Sequence, residues 1–239
     1  MATYFASDVH LRLDHPERAE RFARWVRTKT ADDAIYIVGD LCDFWFAARQ
    51  SGKRPLTCPG LLALAEFVGG GGSLTVLPGN HDAWLGPFFQ SELGAQWREG
   101  PVDLDFGPDG PRCQLVHGHL LGGRATWKGW MESDAFFQGF RALPHPVARG
   151  FEFTLDQFNE ARLEASHSRH IAVYRAFVDA MTDPPDLMIL GHVHQTLDEV
   201  RPNGTRLVVL GNWHQQSSYV RQEGGRAEFL IEKGPMGPQ

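Results

Sequence analysis

Six short apolar runs, each rich in β-formers and each finishing in Asp, Asn or His, constrain this chain more than any other feature. They are TYFASD (3–8), AIYIVGD (34–40), LTVLPGN (74–80), CQLVHG (113–118), LMILGH (187–192) and RLVVLGN (206–212). A seventh run, AEFLIE (227–232), has no such ending. Continuous apolar runs of this length suit strands buried on both faces. Helical patterns lie between several of them. Residues 16–29 open on Pro16, which suits a first helical turn, and carry Phe22, Trp25 and Val26 on one side. Residues 59–68 stop at the glycines 69–72. The alternation predicts α/β architecture around a layered sheet. In such folds functional groups gather at the carboxyl ends of strands.

The interval 120–186 differs. It lacks convincing strands and is dense in aromatics, including Trp127, Trp130, Phe136, Phe137, Phe140, Phe151, Phe153 and Phe158. It reads as a helical cap inserted within a single domain spanning 1–239. A net charge of −6 gives no global attraction to nucleic acid, so no nucleic-acid partner is expected. The three cysteines, Cys42, Cys58 and Cys113, form no CxxC pair and fit a reducing compartment. The start MATYFASDVH is unlike a signal peptide, and no apolar run approaches the ~18 residues that span a bilayer. The expectation is a cytoplasmic protein that touches a membrane surface only transiently.

The polar strand ends collect Asp8, His10, Asp40, Asn80, His81, Asp82, His117, His192 and His194. In Asp8-Val-His10 and in His192-Val-His194, an extended backbone would put both polar side chains on one face. Glycines before Asp40, Asn80 and His192 allow tight turns and close backbone approach. Oxygen ligands mixed with imidazoles suit divalent Mn, Fe or Zn better than Ca or Mg. There are enough ligands for two ions sharing one carboxylate. Two ions about 3.5–4 Å apart are a device for phosphoryl hydrolysis. Taken singly, each residue has a plainer reading: a turn for Asn-His-Asp, a solvated charge for Asp8, a core histidine for His117. Their joint occurrence argues for a metal site. Asp43 reads either as a neighbour of the site or as a helix N-cap. His119 reads equally as a site residue or as packing. Cys42 reads as packed core, and His145, His167 and His170 as surface or cap residues.

The segments DVH, GDLCD, GNHD, HGH and GHVH, in that order across residues 8–194, resemble the signature of the calcineurin-like metallophosphoesterases. The resemblance implies a β-sandwich flanked by helices in four αββα layers. It implies that Asp8, His10 and His194 hold a first metal ion, that Asn80, His117 and His192 hold a second, and that Asp40 bridges them. His81 would donate to a phosphoryl oxygen or to the leaving group, with Asp82 orienting it. The cofactor implied is a pair of divalent ions, Mn²⁺ first, with Fe or Zn as alternatives.

Phosphoprotein phosphatases carry an Arg after the second motif, where GDLCDFWF has aromatics. That stretch, with GNHDAWLGPFF and LGNW, resembles the UDP-2,3-diacylglucosamine pyrophosphatase branch. The branch cleaves a UDP-lipid to lipid X and UMP in lipid A biosynthesis, at the inner membrane. The chain departs from the branch's best-known members at His81, His119 and Asn212, where they carry Arg, Asp and Asp. Within the interval 120–186, Trp127, Trp130, Met131, Phe137 and Phe140 recur near helical spacing and suit an apolar wall for acyl chains. Asn159, Arg162, Ser166 and Arg169 are three or four apart and suit a polar face toward the UDP-lipid. The plainer reading makes the aromatics the cap's own core and the charges solvated. Trp45 and Trp84 adjoin the metal motifs and read as pocket lining or as packing. The alternatives are a phosphodiesterase or nucleotide phosphatase on a soluble phosphoester, and a scaffold with a degenerate site. The oligomeric state stays open.

Overall fold

All seven apolar runs become strands of two stacked sheets. The computed structural model describes residues 1–12, 16–43, 56–121, 133–144, 147, 150, 168–214 and 217–232. In the first sheet β1 (Thr3–Ala6), β2 (Ala34–Val38) and β3 (Ser73–Leu77) lie parallel, flanked by β4 (Gln96–Trp97) on one side. On the other side stand β10 (Ser218–Glu223) and β11 (Arg226–Ile231), antiparallel, giving the order β11-β10-β1-β2-β3-β4. The second sheet comprises β5 (Val102–Asp105), β6 (Arg112–Val116), β7 (Leu187–Leu190), β8 (Leu197–Val200) and β9 (Arg206–Val209), in the order β5-β6-β7-β9-β8. Helices are α1 (Pro16–Arg27), α2 (Pro59–Gly69), α3 (Gly86–Leu93), α4 (Asp134–Ala142) and α5 (168–179).

The period-2 alternation of each strand sorts its side chains into three separate cores. Phe5, Val38 and Leu77 of the first sheet meet Leu115, Ile189 and Val208 of the second between the two sheets. Their neighbours Ala6, Ile37 and Val76 face the other way, against Phe22 and Trp25 of α1 and Leu61 and Leu64 of α2. On the far side of the second sheet, Met188, Leu190, Leu207 and Val209 pack against Ile171, Tyr174 and Val178 of α5. This is the αββα layering. It explains why the central runs are apolar throughout: both faces are covered.

Four strands and a helix were not legible as apolar runs. β5 (VDLD) and β8 (LDEV) lie at sheet edges with every second residue exposed, so charges interrupt them. β10 carries Arg221 and Glu223 on its partly exposed positions. β4 has two residues only. α3 has no acidic residue in its first turn and no basic residue in its last, and ends at Gly94, whose φ of 66° supplies the left-handed cap.

The interval 120–186 contains α4 and α5 and no strand among its described residues. Both ends of it are built into the sandwich. Phe140 of α4 is buried with the α1–α2 core, so it packs the body of the protein and is no wall for a ligand. α5 is the fourth layer itself. Among the described residues no helix is long and apolar enough to cross a membrane. Cys42, Cys58 and Cys113 are buried and free.

Candidate metal centre

The parallel strands of both sheets stop one to three residues before their polar endings, so those endings sit on loops at one rim of the sandwich. Among the described residues, five non-glycine positions have positive φ: Asp8 (53°), His10 (49°), Asp40 (52°), His192 (71°) and His194 (57°). Such conformations cost on the order of 1–3 kcal/mol each and persist only where surroundings over-determine them. Here they do. Asp8, His10 and Leu11 donate their N–H groups to the carbonyls of Gly39, Asp40 and Leu41, so the β1 and β2 loops run on side by side. The expected extended Asp-x-His geometry is therefore incorrect. Asp8 and His10 converge because both residues turn left-handed, not because a pleat alternates.

The side chains gather into largely buried groups, two of which are joined by a third made of His10, Asp40 and His81. Asp8, His10 and His194 form one, and Asp40, His117 and His192 the other, with ligand atoms of each within 4.8 Å of one another. His10 and His194 point their Nε2 atoms at each other at 3.0 Å. His194 Nε2 lies 3.3 Å from Asp8 Oδ1, and His117 Nε2 lies 3.3 Å from Asp40 Oδ2. Donors 2.0–2.2 Å from a common ion stand about 3–3.4 Å apart, so these spacings suit shared cations. Asp40 links the groups, its Oδ2 also 3.8 Å from His10 Nε2.

Two further observations fit a bound metal. Asn80 Oδ1 and His117 Nε2 are buried without a hydrogen-bond partner among the described residues. Buried polar atoms left so cost several kcal/mol unless something else satisfies them. His117 Nδ1 donates to the Val38 carbonyl at 2.8 Å, so Nε2 is the nitrogen that can ligate once it gives up its proton. The glycines serve close approach. A Cβ on Gly79 would overlap Asp40, and one on Gly191 would overlap Ser7 and Asp8. Gly79→Ala should therefore push Asp40 aside and weaken Mn²⁺ binding at least ~10-fold. Calorimetric titration with wild-type affinity would rule this out.

Residues 1–196 match the calcineurin-like phosphoesterase family. The chain belongs to that family. It is accordingly a metal-dependent phosphoester hydrolase. A UDP-2,3-diacylglucosamine hydrolase of Aeromonas hydrophila is 28% identical over 211 residues, which is 82% of each chain. One of Porphyromonas gingivalis is 35% identical over 120 residues, 48% of this chain and 45% of the other. A dimetal phosphatase from Danio rerio aligns over 97% of this chain and 98% of its own, with 14% identity and a TM-score of 0.45.

GNHD follows β3, but its last residue acts differently from expectation. Asp82 does not hold His81. Its Oδ2 accepts the N–H groups of Leu41 (2.7 Å) and Cys42 (3.3 Å), and its Oδ1 that of Gly79 (2.9 Å). Asp82 clamps the β2 and β3 loops together. Burial and the adjacent Asp40 charge push its carboxyl up, to about 7, against those three donors. His81 is held instead by Asp43, whose Oδ1 is 2.8 Å from His81 Nδ1. Arg12 supports Asp43 from the other side at 3.2 Å. Burial would raise the Asp43 carboxyl, but His81 and Arg12 outweigh it and hold it well below the usual range. His81 also reaches Asp40: its backbone N–H donates to Asp40 Oδ1 at 2.8 Å.

The other candidates divide. Trp45, Trp127, Trp130, Met131, His145, Asn159, Arg162, Ser166 and His167 lie outside the described residues. Arg169 is exposed near the start of α5. Its neighbour His170, expected at the surface or in the cap, places its ring 5.9 Å from that of His192. His119 stands 5.2 Å from His117, ring to ring. Trp84 packs against the α1–α2 core, and Cys42 is fully buried there. In LGNW, Trp213 packs edge-on against Phe22 and Trp25, and its backbone N–H donates to the Asp8 carbonyl.

Protonation follows burial and charge. Burial lowers His10 and His192, which are neutral and ready to ligate. Burial also acts to lower His117, but the Asp40 and Asp8 charges dominate and raise it to about 9. At pH 7 the metal-free protein thus holds a proton on His117 that a metal ion must displace. Mn²⁺ binding at pH 7 should release about one proton from this group, and affinity should fall as pH drops. Calorimetry in buffers of different ionisation enthalpy reads the proton count; buffer-independent heats would refute it.

Proposed function

We propose that the protein cleaves the pyrophosphate of UDP-2,3-diacylglucosamine at two divalent ions, giving lipid X and UMP in lipid A biosynthesis. The observation that carries the hydrolytic part is the pair of buried donor groups joined at Asp40. The Aeromonas hydrophila relative, matched over 82% of both chains, supports the substrate. The reaction would take place on the cytoplasmic side, in transient contact with the membrane that holds the lipid. Asp8, His10 and His194 would hold one ion and Asn80, His117 and His192 the other, with Asp40 shared. This donor set suits Mn²⁺, then Fe or Zn. When bound, the ions supply Lewis acidity and an activated water.

The chain's own residues do the rest. Water attacks phosphorus, the bridging P–O bond breaks, and the leaving phosphate takes the bonding pair. Asp43 holds His81 at Nδ1, and the ring so placed can carry a proton for a phosphoryl oxygen or the leaving group. Asp82 acts by fixing the two loops that carry Asp40 and His81. Trp127 and Trp130 are proposed to line the acyl path, and Asn159, Arg162, Ser166 and Arg169 to meet the UDP group.

Product analysis by mass spectrometry tests this, using UDP-2,3-diacylglucosamine in ¹⁸O water with and without Mn²⁺. Metal-dependent release of UMP and the acylated sugar 1-phosphate is expected, and the label identifies the phosphorus attacked. Intact substrate, with an aryl phosphodiester cleaved under the same conditions, would favour a soluble phosphoester instead.

A further inference from the structure

The peptide unit between Gly191 and His192 is held at both ends. Its N–H donates to Asp8, 2.9 Å from Oδ2 and 3.1 Å from Oδ1. Its carbonyl accepts the O–H of Tyr174 at 3.1 Å. Tyr174 is fully buried on α5, against the outer face of the second sheet. Gly118, the residue after His117, lies so close to the phenol that a Cβ there would overlap its oxygen. Gly191 also donates its own N–H to the His117 carbonyl at 3.1 Å. One phenol therefore touches both loops that carry His117 and His192, and the peptide it binds reaches Asp8 in the other group.

We infer that Tyr174 is a positioning residue of the metal centre: its hydroxyl fixes the Gly191–His192 peptide so that Asp8 and His192 face adjacent ions. The inference rests on the two-ion reading above. The physical need is clear from His192, whose φ of 71° lies in a sparsely populated region. A peptide beside such a residue keeps its orientation only if its surroundings pin it. The phenol pins the carbonyl, and polarising that carbonyl strengthens the N–H as a donor to Asp8. Burial raises the phenol's pKa, so it remains a donor throughout the working pH range.

Tyr174→Phe removes the hydroxyl and keeps the ring. Val178→Ala serves as its control, because it truncates the same helix in the same core without touching the peptide. The measurements are Mn²⁺ titration by calorimetry and low-temperature EPR of the loaded protein. For Tyr174→Phe, at least one Mn²⁺ should bind ~10–100-fold more weakly, and the exchange-coupled signal of the ion pair should shrink. For Val178→Ala, the unfolding temperature should fall while affinity and spectrum stay wild-type. A Tyr174→Phe protein with wild-type affinity and spectrum would reduce Tyr174 to a packing residue. A wild-type protein that takes up no Mn²⁺ would sink the two-ion reading, and this inference with it.

Discussion

Asp40→Asn should lower kcat/KM by about 10³-fold or more and cut Mn²⁺ content from two equivalents to one or fewer. Asn keeps the shape and an oxygen that can accept the His81 N–H, so the loop has reason to stay folded. What it removes is the negative charge facing His117 at 3.3 Å and His10 at 3.8 Å. Asp40 reaches both donor groups, so under the proposed two-ion reading its loss would remove the donor that both ions share. Metal analysis and steady-state kinetics on one preparation decide the matter. Two bound equivalents with wild-type turnover would remove Asp40 from the centre.

Asp43→Asn and His81→Gln should each lower kcat by ~10²–10⁴-fold, the range for a positioned acid or base, with metal content unchanged. The two changes combined should cost little more than either alone, since they disable one unit. The amide at position 43 can present an N–H to Nδ1 and so favour the wrong tautomer of His81. A different outcome is informative, because His81 also lies within ligand distance of His10 and Asp40. If His81→Gln loses an equivalent of metal while Asp43→Asn does not, His81 is a ligand and its role as proton carrier falls.

The amino-acid sequence determined the strand content of the sandwich interior and the set of candidate ligands. Strands covered on both faces must be apolar at every position, so their runs stand out, and the polar residues that follow them are marked by contrast. Edge strands such as VDLD and LDEV carry charges on their open face, and that contrast vanishes. The choice of Asp82 as partner of His81 failed for a related reason. The family resemblance implied it, but the turn itself uses its carboxylate on three amides, and Asp43 arrives from the β2 loop. The left-handed turns at Asp8 and His10 are likewise imposed by hydrogen bonds to residues 39–41. His170 shows the same limit: it reads as a surface or cap residue, and only packing of α5 against the second sheet brings it, with Tyr174 of the same helix, to the loop of His192. Local pattern fixes what a segment can bury. Which side chain meets which across the loops is set by contacts far apart in the chain, and those exist only once the layers have closed.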